Sequence, residues 1–224
     1  MRKLFSLLAM IWLSTAQPPT NEERKTINDY HLELRENVSP TATNMLLMNY
    51  SVELEESVRK WISRCELEEP NASAGAEFEN TGMTIHGYSP NKPDYKMELS
   101  FYATGARYYN IDNNTCSQNC DDYKRMVWSN STEVGCSIQQ CNNTRKSGSD
   151  YFIMACLYRP GKNEPIERPY EKGDSCTKCP SGFTCYRNQC KNVSIPVTTT
   201  SASTLSYTMA SAIEVLLFVL FSIC

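Results

Sequence analysis

Histidine is scarce in this sequence, with two among 224 residues. A Ser-His-Asp arrangement needs an imidazole beside a nucleophile, and zinc favours imidazole or thiolate. Only His31 and His86 are therefore open to either chemistry. Long apolar runs are also missing. The two strongest, Leu4 to Leu13 and Val215 to Cys224, are about half of the roughly 20 residues that cross a bilayer as a helix. Neither sign of charge is in excess, since 22 Lys and Arg stand against 25 Asp and Glu. That balance excludes the basic field that nucleic acid or an anionic membrane face would select.

Cysteine is what the chain has in quantity. Leaving out Cys224 in the apolar tail, the 11 cysteines become ten, an even set that reads as five disulfides in an oxidising compartment. Five lie between Cys116 and Pro160, among the β-prone runs Val134-Gly135-Cys136 and Tyr151 to Tyr158. That stretch is expected to pair as two stapled strands around which the rest is arranged.

Both ends of the chain carry processing signals. Arg2-Lys3, an apolar core and Ser14-Thr15-Ala16 form a secretory signal peptide over 1–16. Ser201-Ala202-Ser203, a polar spacer and the terminal apolar run match a GPI-attachment signal, with Ser201 as the anchor and 202–224 as the removed propeptide. A membrane helix is disfavoured there because Glu214 interrupts the run and no Lys or Arg follows it. Taking away Arg2, Lys3 and Glu214 leaves a net charge of −4 on the mature chain. Seven Asn-x-Ser/Thr sequons, at Asn37, Asn49, Asn71, Asn113, Asn130, Asn142 and Asn192, agree with export as a glycoprotein.

Between the ends, periodicity predicts the elements. Ile27, Tyr30, His31 and Leu34 form one stripe of a helix over Asn21 to Asn37, with His31 read as a packed core residue. The connector Thr41 to Tyr50 carries Met45, Leu46, Leu47 and Met48. A second helix follows over Ser51 to Cys65, with Leu54, Val58, Trp61 and Ile62 inward and Glu and Arg opposite. A short strand is expected around Met83 to His86 and a third helix over Lys96 to Asn110, weakened by Gly105. Cys176, Cys179, Cys185 and Cys190 lie in a segment with no apolar core of its own, so disulfides must hold it. Zinc is disfavoured there by the oxidising route and the lack of a nearby histidine. The domain plan is 17–169 for the main body, 170–192 for a cysteine-rich hinge and 193–201 for a Ser/Thr-rich stalk.

Several motifs resemble those of a known family. Tyr30-His31, Arg35, Val38, Pro40, Ala42 and Asn44-Met45 resemble the opening of CAP-superfamily domains, the group of cysteine-rich secretory, pathogenesis-related and venom allergen-like proteins. Phe78-Glu79-Asn80 resembles their Gly-Glu-Asn motif, and Cys120, Tyr123 and Val127-Trp128 resemble their His-Tyr-Thr-Gln-x-Val-Trp signature. Tyr151 to Gly161, with Asn163, resembles the second signature. The resemblance implies a three-layer α–β–α sandwich with a small disulfide-rich appendage. It also implies the pairs Cys65–Cys141, Cys116–Cys120, Cys136–Cys156, Cys176–Cys185 and Cys179–Cys190. The chain is nearest to the glioma pathogenesis-related-like branch, because stalk follows Cys190 in place of a channel-regulator extension.

The family cleft with two His and two Glu, which can hold a divalent metal, is mostly replaced. The four positions fall at Glu69, Glu79, Thr104 (or Gly105) and Asp122, so one of the four is retained. Three carboxylates there would repel unless a cation or a base neutralised them. Calcium or magnesium could serve as that cation, but the favoured reading is solvated acids with no metal and no cofactor. Neither histidine falls at a cleft position and every cysteine outside the tail is paired, so no enzyme is expected. The expected function is recognition or adhesion by a GPI-anchored glycoprotein on the extracellular face of the plasma membrane. Its partner would be an extracellular or cell-surface protein, with sperm–egg interaction among the roles the resemblance implies. The alternatives are a sterol or lipid carrier lined by Met45 to Met48 and, last, a hydrolase.

Overall fold

The computed structural model describes residues 18–71, 73–142 and 150–193. The signal-peptide, stalk and GPI-anchor expectations therefore lie, wholly or nearly so, outside the described residues. Helix α1 is Asn21–Glu36. Thr20 starts it with a capping box, its hydroxyl accepting from the Glu23 amide while the Glu23 carboxylate accepts from the Thr20 amide. Helix α2, Val52–Ile62, begins at the Ser51 cap, and α3, Tyr95–Ala103, begins where Asp94 accepts from the Met97 amide. The six-residue α4, Asp121–Met126, places Asp121 and Asp122 in its first turn and Lys124 and Arg125 in its last, the order the helix dipole favours.

Among the described residues eight strands complete the fold: β1 Asn49–Tyr50, β2 Gly82–Tyr88, β3 Tyr109–Asn110, β4 Thr115–Cys116, β5 Glu133–Asn142, β6 Asp150–Arg159, β7 Phe183–Tyr186 and β8 Gln189–Asn192. The main sheet has the order β1-β5-β6-β2, with β1 parallel to β5 and the other pairs antiparallel. Helices cover both faces, which is why β5 and β6 read as nearly continuous buried runs. On one face Cys136, Ile138, Met154 and Tyr158 pack with Ile27 of α1, Leu99 and Tyr102 of α3, and Tyr123 and Met126 of α4. On the other, Ile153, Ala155 and Leu157 pack with Leu54, Val58 and Ile62 of α2. The result is the α–β–α sandwich. Gly135 lets α2 close down on β5, because a Cβ there would lie 2.3 Å from the Glu55 amide nitrogen.

Three details differ from the pattern expected of the sequence. The third helix stops at Ala103 and continues as a 3-10 turn, Thr104–Arg107. Glu55 is buried on the supposedly polar side of α2, where it accepts from Arg24 at 2.7 and 2.8 Å and from the Tyr50 hydroxyl at 2.6 Å. Of the connector residues weighed as a lipid lining, Met45 and Met48 are fully buried in the core, while Leu46 and Leu47 are half-buried.

The sulfurs are joined as Cys65–Cys141, Cys116–Cys120, Cys136–Cys156, Cys176–Cys185 and Cys179–Cys190. Cys136 and Cys156 stand directly opposite each other on β5 and β6. The β7–β8 hairpin carries the last two bridges and is stitched to the main body through its backbone. The Cys190 amide donates to the Met45 carbonyl at 2.7 Å, and the Leu47 amide donates to the Cys190 carbonyl at 2.9 Å. Of the sequon asparagines, Asn37, Asn49, Asn71, Asn113, Asn130 and Asn142 are exposed and Asn192 is half-buried.

His31 is fully buried on α1, its Nδ1 2.8 Å from the Ile27 carbonyl and its Nε2 3.2 Å from the Tyr158 hydroxyl. Neutral imidazole satisfies both contacts by donating from Nδ1 and accepting at Nε2. Burial holds its pKa down at about 4. The unfolded chain binds this proton near pH 6.5. Stability from His31 is thus present above pH 6.5 and is lost as pH falls toward 4, by about 3 kcal/mol in all. Urea unfolding at pH 7 and pH 4.5 should show that loss in the native chain and a smaller one in His31→Phe. Equal losses in both chains would refute the assignment.

Candidate functional site

Two of the positions aligned with the family cleft, Glu69 and Asp122, are brought near one another, with an arginine between them. Arg125, on the last turn of α4, is about a tenth exposed, and its Nη2 lies 3.2 Å from Glu69 Oε1. Its Nη1 lies 3.8 Å from Asp122 Oδ1, one helical turn back. The same Nη2 donates to the Asn163 carbonyl at 2.7 Å. Asn163 in turn donates to the Pro70 carbonyl and accepts from the Met83 amide. Second-signature residues thus tie the Glu69 loop to β2 and α4. Burial pushes the Glu69 carboxyl up, Arg125 pulls it back and Asp122 adds a smaller upward push. The repulsion expected among these carboxylates is answered by a base, as that expectation allowed.

His86 overturns one expectation outright. It does lie at the cleft position, with its Nε2 2.8 Å from Asp122 Oδ2. Strand parity explains why. Met83 and Ile85 of β2 face α2, so Thr84, His86 and Tyr88 face α3 and α4. The His86 ring lies 4.8 Å from that of Tyr102, whose hydroxyl is 2.6 Å from the Tyr88 hydroxyl. Alternation along β2 was the signal that would have found it.

The other positions do not converge. Glu79 is exposed and lines an open cleft of about 800 Å³ together with Glu69, Lys162 and Glu164. Thr104 caps the end of α3, its hydroxyl donating to the Phe101 carbonyl at 2.6 Å. Gly105 admits no side chain, because a Cβ there would come within 2.8 Å of the Tyr123 Cβ on α4. A carboxylate at that position would force α4 away from the turn.

These residues do not fit a divalent ion. Asp122 and Glu69 are engaged by His86 and Arg125, and a guanidinium among the donors repels a cation. Among the described residues, the one set of three His, Cys, Asp or Glu ligand atoms gathered within 4.8 Å is Cys176, Cys179 and Cys190. All three are tied up in disulfides. Nor is a nucleophile in place. Among the described residues no serine, threonine or cysteine side chain hydrogen-bonds either histidine, whose partners are Asp122 for His86 and the Ile27 carbonyl and Tyr158 for His31.

Comparison with known proteins agrees with the fold. GLIPR1-like protein 1 of Homo sapiens is 30% identical over 168 residues, covering 72% of this chain and 68% of the relative. Peptidase inhibitor 16 of Mus musculus is 27% identical over 180 residues, and that of Homo sapiens 27% over 195. The chain spans 35% and 41% of the length of those two relatives, and they cover 79% and 84% of it. Among solved structures, Schistosoma mansoni venom allergen-like protein 4 superposes with a TM-score of 0.55 at 24% identity, covering 71% of this chain and 100% of its own. Hookworm platelet inhibitor gives 0.60 at 18%, covering 79% and 93%. A further solved relative, bound to Zn²⁺, gives 0.61 at 21%, covering 78% and 97%. The model of the CAP family, described as the cysteine-rich secretory protein family, matches residues 19–158, and the chain belongs to that family.

Proposed function

We propose that this extracellular family member is a non-catalytic recognition and adhesion module. It is held on the outer face of the plasma membrane by a GPI anchor and meets another extracellular protein. The observation that carries this reading is the state of the cleft. Of its four family ligand positions Glu79 alone is retained, and it is exposed; Glu69, Asp122 and Thr104 stand at the others, and the first two bond inside the protein to Arg125 and His86. Among the described residues no serine, threonine or cysteine side chain hydrogen-bonds either histidine. A domain whose chemistry-bearing groups partner one another presents its surface as its working part. The anchor rests on the sequence order at Ser201 and the tail after it. The role in gamete adhesion implied by the family resemblance falls within the same reading.

The test uses cells displaying the full-length chain. Phosphatidylinositol-specific phospholipase C should release the protein and with it the cells' adhesion to partner cells, while His86→Ala should leave adhesion unchanged. Protein retained after the enzyme removes the anchor from the proposal. Ester or peptide hydrolysis by the released protein that disappears in His86→Ala replaces recognition with catalysis.

A further inference from the structure

The outer side of α3 is the most apolar exposed surface on any described helix. Met97 and Phe101, one turn apart, are 65% and 66% exposed, while their neighbours Tyr95, Leu99 and Tyr102 on the same helix are buried in the core. Two large side chains left in water at i and i+4 form a single ridge. Thr104 and Arg107 on the following 3-10 turn continue the row at three-residue steps.

Charge on this face is one-sided. Lys96 and Arg107, both exposed, flank the apolar pair, and neither has an ion-pair or hydrogen-bond partner among the described residues. The two acids of the segment are committed elsewhere. Asp94 caps the helix by accepting from the Met97 amide, and Glu98 is half-buried beside Tyr88, its hydrogen-bond partner. Elsewhere on the surface most bases are matched, as in Arg187 with Glu36 and Arg159 with Glu53 and Glu133. The segment itself carries no glycan acceptor, since no sequon lies between Asn71 and Asn113.

We infer that the outer face of α3 is the docking surface for an acidic segment of an extracellular protein partner. Met97 and Phe101 are the apolar anchors, and Lys96 and Arg107 are the cations that select acid. The inference rests on the recognition reading above and names the surface and the chemistry that reading lacks. Apolar anchors in the middle with matched charge at the rim is the ordinary anatomy of such contacts.

Cells displaying the full-length chain are probed with a panel of purified, fluorescently tetramerised extracellular ectodomains. The variants are Met97→Asp with Phe101→Asp, Lys96→Glu with Arg107→Glu, and Val52→Asp as a control on α2, where Val52 is 57% exposed. An ectodomain bound by the native chain should bind both α3 pairs about tenfold or more weakly and the control unchanged. Its binding should weaken between about 0.15 and about 0.5 M salt. A photo-crosslinking residue at position 100, between the anchors, should label an acidic segment of that ectodomain, a readout independent of how well the paired variants reach the surface. Binding kept by the α3 variants, or a label on a basic segment, overturns this surface and leaves recognition standing. Self-association of the native chain abolished by Phe101→Asp assigns the face to a second copy and overturns the partner. No bound ectodomain at all overturns the recognition reading, and this inference with it.

Discussion

Replacing Arg35 by methionine is expected to destabilise the protein by about 3 to 5 kcal/mol, the cost of stranding buried partners of a charged group. The residue sits on α1 with no exposure at all. Its Nη1 donates to the carbonyls of Met126 and Trp128 at 3.0 and 2.8 Å. Its Nη2 donates to those of Leu46 and Ser131 at 2.8 and 3.0 Å, with Ser129 at 3.4 Å. Burial lowers the guanidinium pKa to about 9, so it remains charged at neutral pH. Among the described residues no carboxylate answers that charge. Carbonyl dipoles do so instead, drawn from the connector before β1 and from the loop after α4. Methionine fills the space and takes their donor from the Leu46, Met126 and Ser131 carbonyls, while those of Trp128 and Ser129 keep the Ser131 and Leu46 amides. Lysine at the same position keeps the charge, yet three N–H groups on one atom cannot reach five carbonyls, so an intermediate loss is expected. In a domain of this size the methionine variant should melt roughly 10 °C lower. A loss below about 1 kcal/mol would show that the carbonyls find water and that Arg35 is not the hub described.

The second large effect belongs to Cys65–Cys141. This bridge spans 76 residues of sequence, from the end of α2 to the end of β5. Cys116–Cys120 spans four. Closing the longer loop restricts the unfolded chain far more, by about 4.5 kcal/mol against about 2 for the short one in the chain-entropy description. Paired serine substitutions at Cys65 and Cys141 should therefore lower the melting temperature about twice as far as the same change at Cys116 and Cys120. Secretion from cultured cells should fall in the same order. Equal or reversed losses would mean that the unfolded chain is already restricted in that region.

What could be read from the sequence follows from where the information is local. The stripe Ile27, Tyr30, His31 and Leu34 declares α1 because helix period is a property of neighbours, and the β-prone runs Val134 to Cys136 and Tyr151 to Tyr158 declare the cores of β5 and β6. Arg35 was read as a motif residue and not as a buried hub, since its acceptors lie up to 96 positions away. His86 was misplaced because the strand was read for its apolar residues and its parity was not followed. Helix α4 carries acids first and bases last, yet six residues between cysteines are too few for a period to show. Arg125 went unread for a related reason. Its two carboxylate partners, Glu69 and Asp122, were recognised as a repelling set, and the neutralising base lay three residues from one of them.

The stitching of β8 to the connector has a mechanical side. Chain beyond Val193 continues directly from β8, so a pull applied through it loads first the β7–β8 pairing at Val193 and Asn192 and then Cys190. There the load divides between the sulfur link to Cys179 and the backbone bonds to Met45 and Leu47. Those bonds lie one residue from Leu46, whose carbonyl Arg35 holds. Past the outer pairs of the hairpin, tension would thus reach the centre of the sandwich through Cys190.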